Sequence, residues 1–249
     1  MKWPKIKNIM ICFLLVMNLS MLCFISLDSY KKTVIPDNVI RASLKILDNS
    51  GFRCSKEDFP SSNHYLSSLN VTFYNASDLS ELFFGEQVPF GTSDNSLVAK
   101  HNGAILKVYS NHFTYSTGKT AKKASEKELK RALKSIGIDT KSIVFDKKEK
   151  CFYKMYKHYN LFNMYISVEL DNDGEICNIS AQWPKEITDL SREKITFTQS
   201  LTKLKKAFPA GGSINKIELG YALRFLGGEK YKFVPAWRVN VDGEIKILE

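Results

Sequence analysis

Residues 9–27 read IMICFLLVMNLSMLCFISL, nineteen residues without a charge, and Lys2, Lys5 and Lys7 stand just before them. A helix of roughly 20 apolar residues crosses a hydrocarbon core of about 30 Å, so the segment is expected to be a transmembrane helix. Eleven of the nineteen are Ile, Leu, Phe or Val, each favouring insertion by about 0.3–0.6 kcal/mol at the helix centre. Asn18, Ser20 and Ser26 oppose that sum without cancelling it. A cleaved export signal would end in small residues in an A-x-A-like pattern, whereas this run leaves through Phe24-Ile25-Ser26-Leu27-Asp28. A lipoprotein signal needs a small residue before its cysteine, and Leu22 precedes Cys23. The expectation is therefore an uncleaved anchor over 9–27 with a cytoplasmic tail at 1–8. The N-terminal lysines set that orientation, with the rest of the chain outside, although Lys31 and Lys32 weaken the contrast.

Asn18 falls at the middle of the expected span, where an amide facing lipid has no partner. Ile11, Leu14, Met21, Leu22 and Ile25 share its face at helical spacing. Polar side chains in membranes usually face another helix, where a hydrogen bond contributes about 0.5–2 kcal/mol. Ile11, Leu14, Asn18, Met21 and Leu22 form a candidate contact stripe for a partner helix. The plainer alternative is a single tolerated polar residue.

The formal charge of +10 looks like a nucleic-acid signature until it is divided along the chain. Residues 28–118 hold eight basic side chains against nine acids, and residues 158–249 hold twelve of each. Residues 119–157 hold thirteen against five, and the N-terminal tail adds three lysines. The excess is one patch plus a topology signal. Outside a membrane such a patch would meet anionic lipid head groups, an anionic polymer or an acidic protein face; otherwise it is a solvated helix face. Nucleic acid is not an expected partner.

Cys12 and Cys23 lie in the span, leaving Cys54, Cys151 and Cys177 outside. Three cysteines without CxxC spacing imply no disulfide framework. Cys151 and Cys177 fall on strands expected in one sheet, which leaves a bridge between them open. The sequons at Asn70, Asn75 and Asn178 matter only in a eukaryotic secretory pathway.

The exterior carries a faint repeat: Asn102-Gly103-Ala104-Ile105, Asp173-Gly174-Glu175-Ile176 and Asp242-Gly243-Glu244-Ile245. Asn-Gly and Asp-Gly are strong hairpin signals, because type I′ turns need positive φ at both central residues. An amphipathic helix precedes each at a distance. The first is expected over 37–50, with Ile40, Leu44 and Leu47 on one face and Gly51 at its end. The second opens on the capping box Ser125-x-x-Glu128 and continues through Leu129, Ala132, Leu133 and Ile136 to Gly137. The third opens on Thr196-x-x-Gln199 and runs through Phe197, Leu201, Leu204 and Phe208, and Pro209 stops it. Elsewhere the period is two: Phe162 to Leu170, Ile217 to Phe225, and Phe233, Trp237, Val239 and Val241, with Pro235 marking an edge or bulge. One apolar face per strand implies an antiparallel sheet covered by a helix. The fold class is α+β: one transmembrane helix, then two helix-plus-antiparallel-sheet subdomains over 28–118 and 119–249, divided near 117–120. Residues 84–102 read as a loop-rich insertion.

Catalytic signatures are absent from the sequence. His64, His101, His112 and His158 have no metal-ligand spacing. There is no G-x-S-x-G elbow and no phosphate-binding glycine loop; Gly211-Gly212 and Gly227-Gly228 read as turns. No catalytic, cofactor or metal residue is expected, although triads do assemble from distant positions.

The opening Met1-Lys2-Trp3-Pro4-Lys5-Ile6-Lys7-Asn8, followed directly by the span, resembles the start of YycI-type regulatory proteins of Gram-positive bacteria. So do the first external helix ending at Gly51 with Pro60 nine residues later, and the closing Val234-Pro235-Ala236-Trp237-Arg238-Val239. The cysteines and the basic stretch after Gly118 have no counterpart in that pattern. The resemblance implies a single-pass protein facing outward, with subdomains of the β-lactamase-inhibitor-like kind. It also implies action with a YycH-like single-span partner on a sensor histidine kinase of the WalK (YycG) type that governs cell-wall metabolism, largely through transmembrane helices. A membrane-anchored inhibitor or chaperone-like module for a secreted protease would use the same architecture.

Overall fold

The computed structural model describes residues 10–23, 34–62, 64–195, 197–228 and 230–249, apart from the side chains of residues 65 and 191–194. Its helices are α1 (residues 10–23), α2 (Asp37–Asn49), α3 (Ala76–Phe84), α4 (Glu126–Ser135) and α5 (Leu201–Ala207). Its strands are β1 (Phe52–Arg53), β2 (His64–Phe73), β3 (Gly91–Ser93), β4 (Ser96–His101), β5 (Ala104–Val108), β6 (Phe113–Ser116) and β7 (Ile143–Asp146). They continue with β8 (Cys151–Tyr156), β9 (Tyr159–Leu170), β10 (Ile176–Gln182), β11 (Pro184–Ile195), β12 (Gly212–Gly227), β13 (Lys230–Val241) and β14 (Glu244–Leu248). This is a mixed α+β fold, mostly antiparallel sheet with few helices.

The chain forms two interleaved compact units. One takes the chain up to Leu66, Lys194–Ile217 and Val239–Leu248; the other takes Ser67–Glu193, Glu218–Arg238 and Glu249. Residues 117–120, where the sequence reading divides the exterior, lie inside the second unit.

In the first unit α2 starts at Asp37, as its spacing predicts, and buries Ile40, Ser43 and Leu47, while Leu44 is half-buried. Gly51 leaves the helix at φ +84°, the left-handed conformation that ends helices without a Cβ penalty. β1 then runs parallel to the start of β12, Phe52 opposite Gly212 and Arg53 opposite Ser213. Here two glycines are required by space. A Cβ on Gly211 would land on the Gly51 carbonyl oxygen, and one on Gly212 would land on the Asp242 carboxylate. The expected helix over 196–208 is shorter than its pattern: Phe197–Ser200 form a 3-10 turn and α5 follows, while Thr196 lies outside the described residues. Phe197, Leu204 and Phe208 are buried as the apolar spacing requires.

In the second unit the strands β10-β6-β5-β4-β3 follow β9 as an antiparallel run. The alternation in β9 is realised, with Phe162, Met164, Ile166, Val168 and Leu170 all buried. Beyond Tyr165 the strand pairs with β10, whereas Asn160 and Leu161 pair with β12, running parallel. α3 and α4 cover the sheet, and Leu79, Leu129, Leu133, Phe152, Ile166 and Trp183 lie in one core. Trp237 and Phe233 are also buried, but so are Val234, Pro235 and Ala236 between them, so the expected alternation holds only from Trp237 to Val241.

Four expectations are corrected. Residues 84–102 are no loop-rich insertion, for they contain β3 and β4, joined by an Asp94-Asn95 turn at φ 44° and 61°. The alternation over 217–225 breaks: Tyr221 is buried, but Phe225 is 60% exposed and packs on Tyr231 with ring centroids 5.2 Å apart. Pro235 is not on an edge, since β13 lies between β2 and β12; Pro235 sits two residues past the last residue paired with β2, Phe233. The three repeated turns are not equivalent. Asn102-Gly103 and Asp242-Gly243 have positive φ at both residues, whereas near Asp173-Gly174 only the glycine does. That third connection is a longer loop held by Asp171, whose carboxylate accepts the Asp173 and Glu175 N–H groups at 3.0 and 2.9 Å.

Candidate functional site

Ile11, Leu14, Asn18, Met21 and Leu22 all lie on α1. At about 100° per residue they occupy an arc of roughly 100°, so the helix does bring the stripe together. All five are exposed, and so are Phe13, Val16 and Leu19 on other faces. Ser20 donates its hydroxyl to the Met17 carbonyl at 2.8 Å, which satisfies a polar group that lipid would leave bare. Among the described residues no helix is long and apolar enough to cross a membrane. Ile9 and residues 24–27 of the expected span, Ile25 of the stripe included, lie outside them.

The basic stretch 119–157 sorts into two groups. Lys119 lies 2.6 Å from the buried Asp171 carboxylate, Lys154 lies 3.1 Å from Asp139, and Lys157 lies 3.0 Å from Asp189. The Lys119 ammonium holds the Asp171 carboxyl below its usual range, and the carboxylate raises Lys119 in return. Lys122 donates to the Asn172 carbonyl at 3.1 Å. The run Asp171-Asn172-Asp173-Gly174-Glu175 resembles a calcium-loop fragment by sequence, but two lysine ammoniums already serve it, and no metal-holding cluster occurs among the described residues. The second group is the outer face of α4, where Lys127, Arg131 and Lys134 are exposed, with Lys147, Lys148 and Lys150 in the turn before β8. None of these six has a carboxylate within 4 Å among the described residues. α4 itself is built as its sequence directs: Ser125 and Glu128 exchange both capping-box bonds, and Leu129 and Leu133 point inward.

The histidines stay apart. His101 lies 3.4 Å from Glu86, and His112 Nε2 lies 3.1 Å from Ser180 Oγ. Burial lowers the pKa of His112 and His64. No carboxylate joins the His112–Ser180 pair among the described residues, so nothing there orients a base. Cys151 and Cys177, on strands either side of β9, are buried and free, and burial raises both thiols. Burial and Asp58 push Cys54 up to about 11.

The second unit also holds a cleft of about 1210 Å³ that sequence reading did not find. Its walls come from residues 70–76 at the end of β2, 92–97 in the β3–β4 hairpin, 108–112 between β5 and β6, and the facing ends of β12 and β13. Tyr231 donates its hydroxyl to Ser110 Oγ at 3.0 Å, tying two of these walls together. Phe73 meets Tyr231 edge-on, with ring centroids 5.3 Å apart, and Tyr109 lies 5.4 Å from His112. Of the twenty lining residues only Lys230 carries a formal charge at neutral pH. The one available signal was the cluster of Asn, Ser and Tyr at 70–75 and 109–111. Of these, Asn70 and Asn75 read first as sequons, and residues 109–111 carried no reading.

The model of the family described as YycI protein matches residues 47–248. No curated protein matches. Among solved structures, an uncharacterized protein from Eubacterium rectale aligns at 12% identity and a TM-score of 0.43, covering 84% of this chain and 94% of that one. The C-terminal domain of Bacillus megaterium YpeB aligns at 10% identity and a TM-score of 0.30, covering 87% of this chain and 99% of that one.

Proposed function

Since the chain belongs to the YycI family, we propose that it is a membrane-anchored extracytoplasmic regulator of a sensor histidine kinase of the WalK (YycG) type. It acts as a binding protein rather than an enzyme, beside a YycH-like single-span protein, and so affects cell-wall metabolism. The family match over residues 47–248 carries this reading. The exposure of α1 on every face supports it, because an apolar helix exposed all round is stable only where its surroundings are also apolar. In this reading α1 belongs to a single span over 9–27, with 1–8 in the cytoplasm and two helix-plus-sheet subdomains of β-lactamase-inhibitor-like kind outside. Ile11, Leu14, Asn18, Met21 and Leu22 face the partner helices. Lys127, Arg131 and Lys134 of α4 and the lysines of the 147–150 turn, which have no carboxylate partner among the described residues, give the exterior a contact for an anionic surface.

The test is co-purification of the tagged full-length chain after mild detergent extraction. A histidine kinase and a second single-span protein are expected in the eluate. Recovery of a secreted peptidase in their place would overturn the reading in favour of an inhibitor module.

A further inference from the structure

The cleft in the second unit has a chemistry that the regulatory reading does not use. In a chain with 25% charged residues, twenty lining residues with one formal charge are a marked departure. Binding an anion would call for clustered Arg or Lys, and binding a cation would call for carboxylates. A lipid tail would call for an apolar wall, but Asn70, Thr72, Thr92, Asn95, Asn111 and Thr188 interrupt it. The amides of Asn70, Asn95 and Asn111 have no partner among the described residues, and each offers two donors and an acceptor. Beside them stand Tyr109, 37% exposed, and the Phe73–Tyr231 pair. Flat amphipathic rings next to unpaired amides suit a ligand with apolar ring faces and hydroxyl edges. The volume of about 1210 Å³ exceeds the roughly 300–1,000 Å³ of ordinary small-molecule sites and leaves room for a ligand of several rings.

We infer that this cleft is a binding site for an uncharged oligosaccharide, stacked on Tyr109 and hydrogen-bonded by Asn70, Asn95 and Asn111. The site is independent of the helix-mediated contact proposed above, and its failure would leave that contact untouched.

The experiment titrates the full-length protein in detergent micelles with two hexasaccharides, chitohexaose and cellohexaose, by calorimetry. They differ in their acetamido groups, so their ranking reports whether the cleft amides read an amide or a hydroxyl. Saturable binding of at least one is expected. Tyr109→Ala should weaken it by up to about tenfold, the scale of an aromatic stacking contact of about 0.5–1.5 kcal/mol. Asn111→Ala should weaken it too, while Val144→Ala, on an exposed strand position outside the cleft, should not. Tyr109 and Asn111 are not core residues, so the unfolding midpoints should stay at the parental value. The inference is overturned if neither sugar binds, if Tyr109→Ala binds as well as the parent, or if only an uncharged extended peptide binds.

Discussion

Helices α1 and α4 obey one rule and find opposite surroundings. α4 buries Leu129 and Leu133 and presents Lys127, Arg131 and Lys134 to water, so its environment is built into the fold. α1 has apolar side chains on every face, from Ile11 and Leu14 to Phe13, Val16 and Leu19, and every one of them is exposed. A stripe is enough for a helix resting on a sheet, whereas an apolar cylinder needs an apolar medium. The comparison predicts that truncations on the buried side of α4 are felt in folding and that truncations on α1 are not.

The largest effect tests the folding side. Leu133 is fully buried between α4 and the sheet, and truncating such a leucine costs about 2–5 kcal/mol. Leu133→Ala should therefore lower the chemical unfolding midpoint of the full-length protein sharply, while Leu15→Ala on α1 should leave it in place. Equal shifts for the two would break the contrast and mean that α1 packs on protein.

A smaller effect sharpens it. Ser125 accepts the Glu128 N–H while Glu128 accepts the Ser125 N–H at 2.8 Å. Losing an N-cap costs about 0.5–2 kcal/mol, so Ser125→Ala should destabilise the unit by that much and Ser125→Asp by much less. Circular dichroism melts of the three proteins check this. Failure of aspartate to rescue would place the role of Ser125 elsewhere than in the cap.

The same two helices show what was legible in the sequence. Capping box and apolar stripe made α4 readable, and strict alternation did the same for β9. α3 carries an equivalent signal, Asn75 and Asp78 in a full capping box with Gly85 at φ +73° after the helix, yet it was missed. Gly85, Pro89 and Gly91 give the residues after it a loop-like composition, and the Asp94-Asn95 turn uses no glycine. β12 misled because a period of two predicts a face, not its cover: the last residues of the strand, Phe225 and Leu226, leave the core and stay exposed. The parallel pairings of β12 with β1 and β9 join residues far apart in the chain, and no local pattern encodes them. The cleft was hidden for the same reason, being assembled from five separated segments of the chain. The helical conformation of residues 10–23 was legible from their apolar run, and the stripe on it is a matter of helical periodicity whose contact role is the proposal made above.

The smallest effect belongs to that stripe. Asn18 is the one amide on α1, placed on the arc shared by Ile11, Leu14, Met21 and Leu22. Hydrogen bonds between membrane helices contribute about 0.6 kcal/mol on average and reach about 1.7. Asn18→Leu should thus reduce association with the histidine kinase by roughly 0.6 kcal/mol, about threefold. Insertion should be preserved, because leucine removes a polar group from lipid. Phe13→Ala, on another face, should matter less. Crosslinking in membranes with matched protein levels measures the difference. If Asn18→Leu associates like the parent while residues 28–249 alone bind fully, α1 is only a tether. The contact would then pass to the exterior, and the α4 cations Lys127, Arg131 and Lys134, without a carboxylate partner among the described residues, become the first surface to neutralise. In that event the cationic face of α4, already offered to an anionic surface, carries recognition, and α1 merely holds the protein in place.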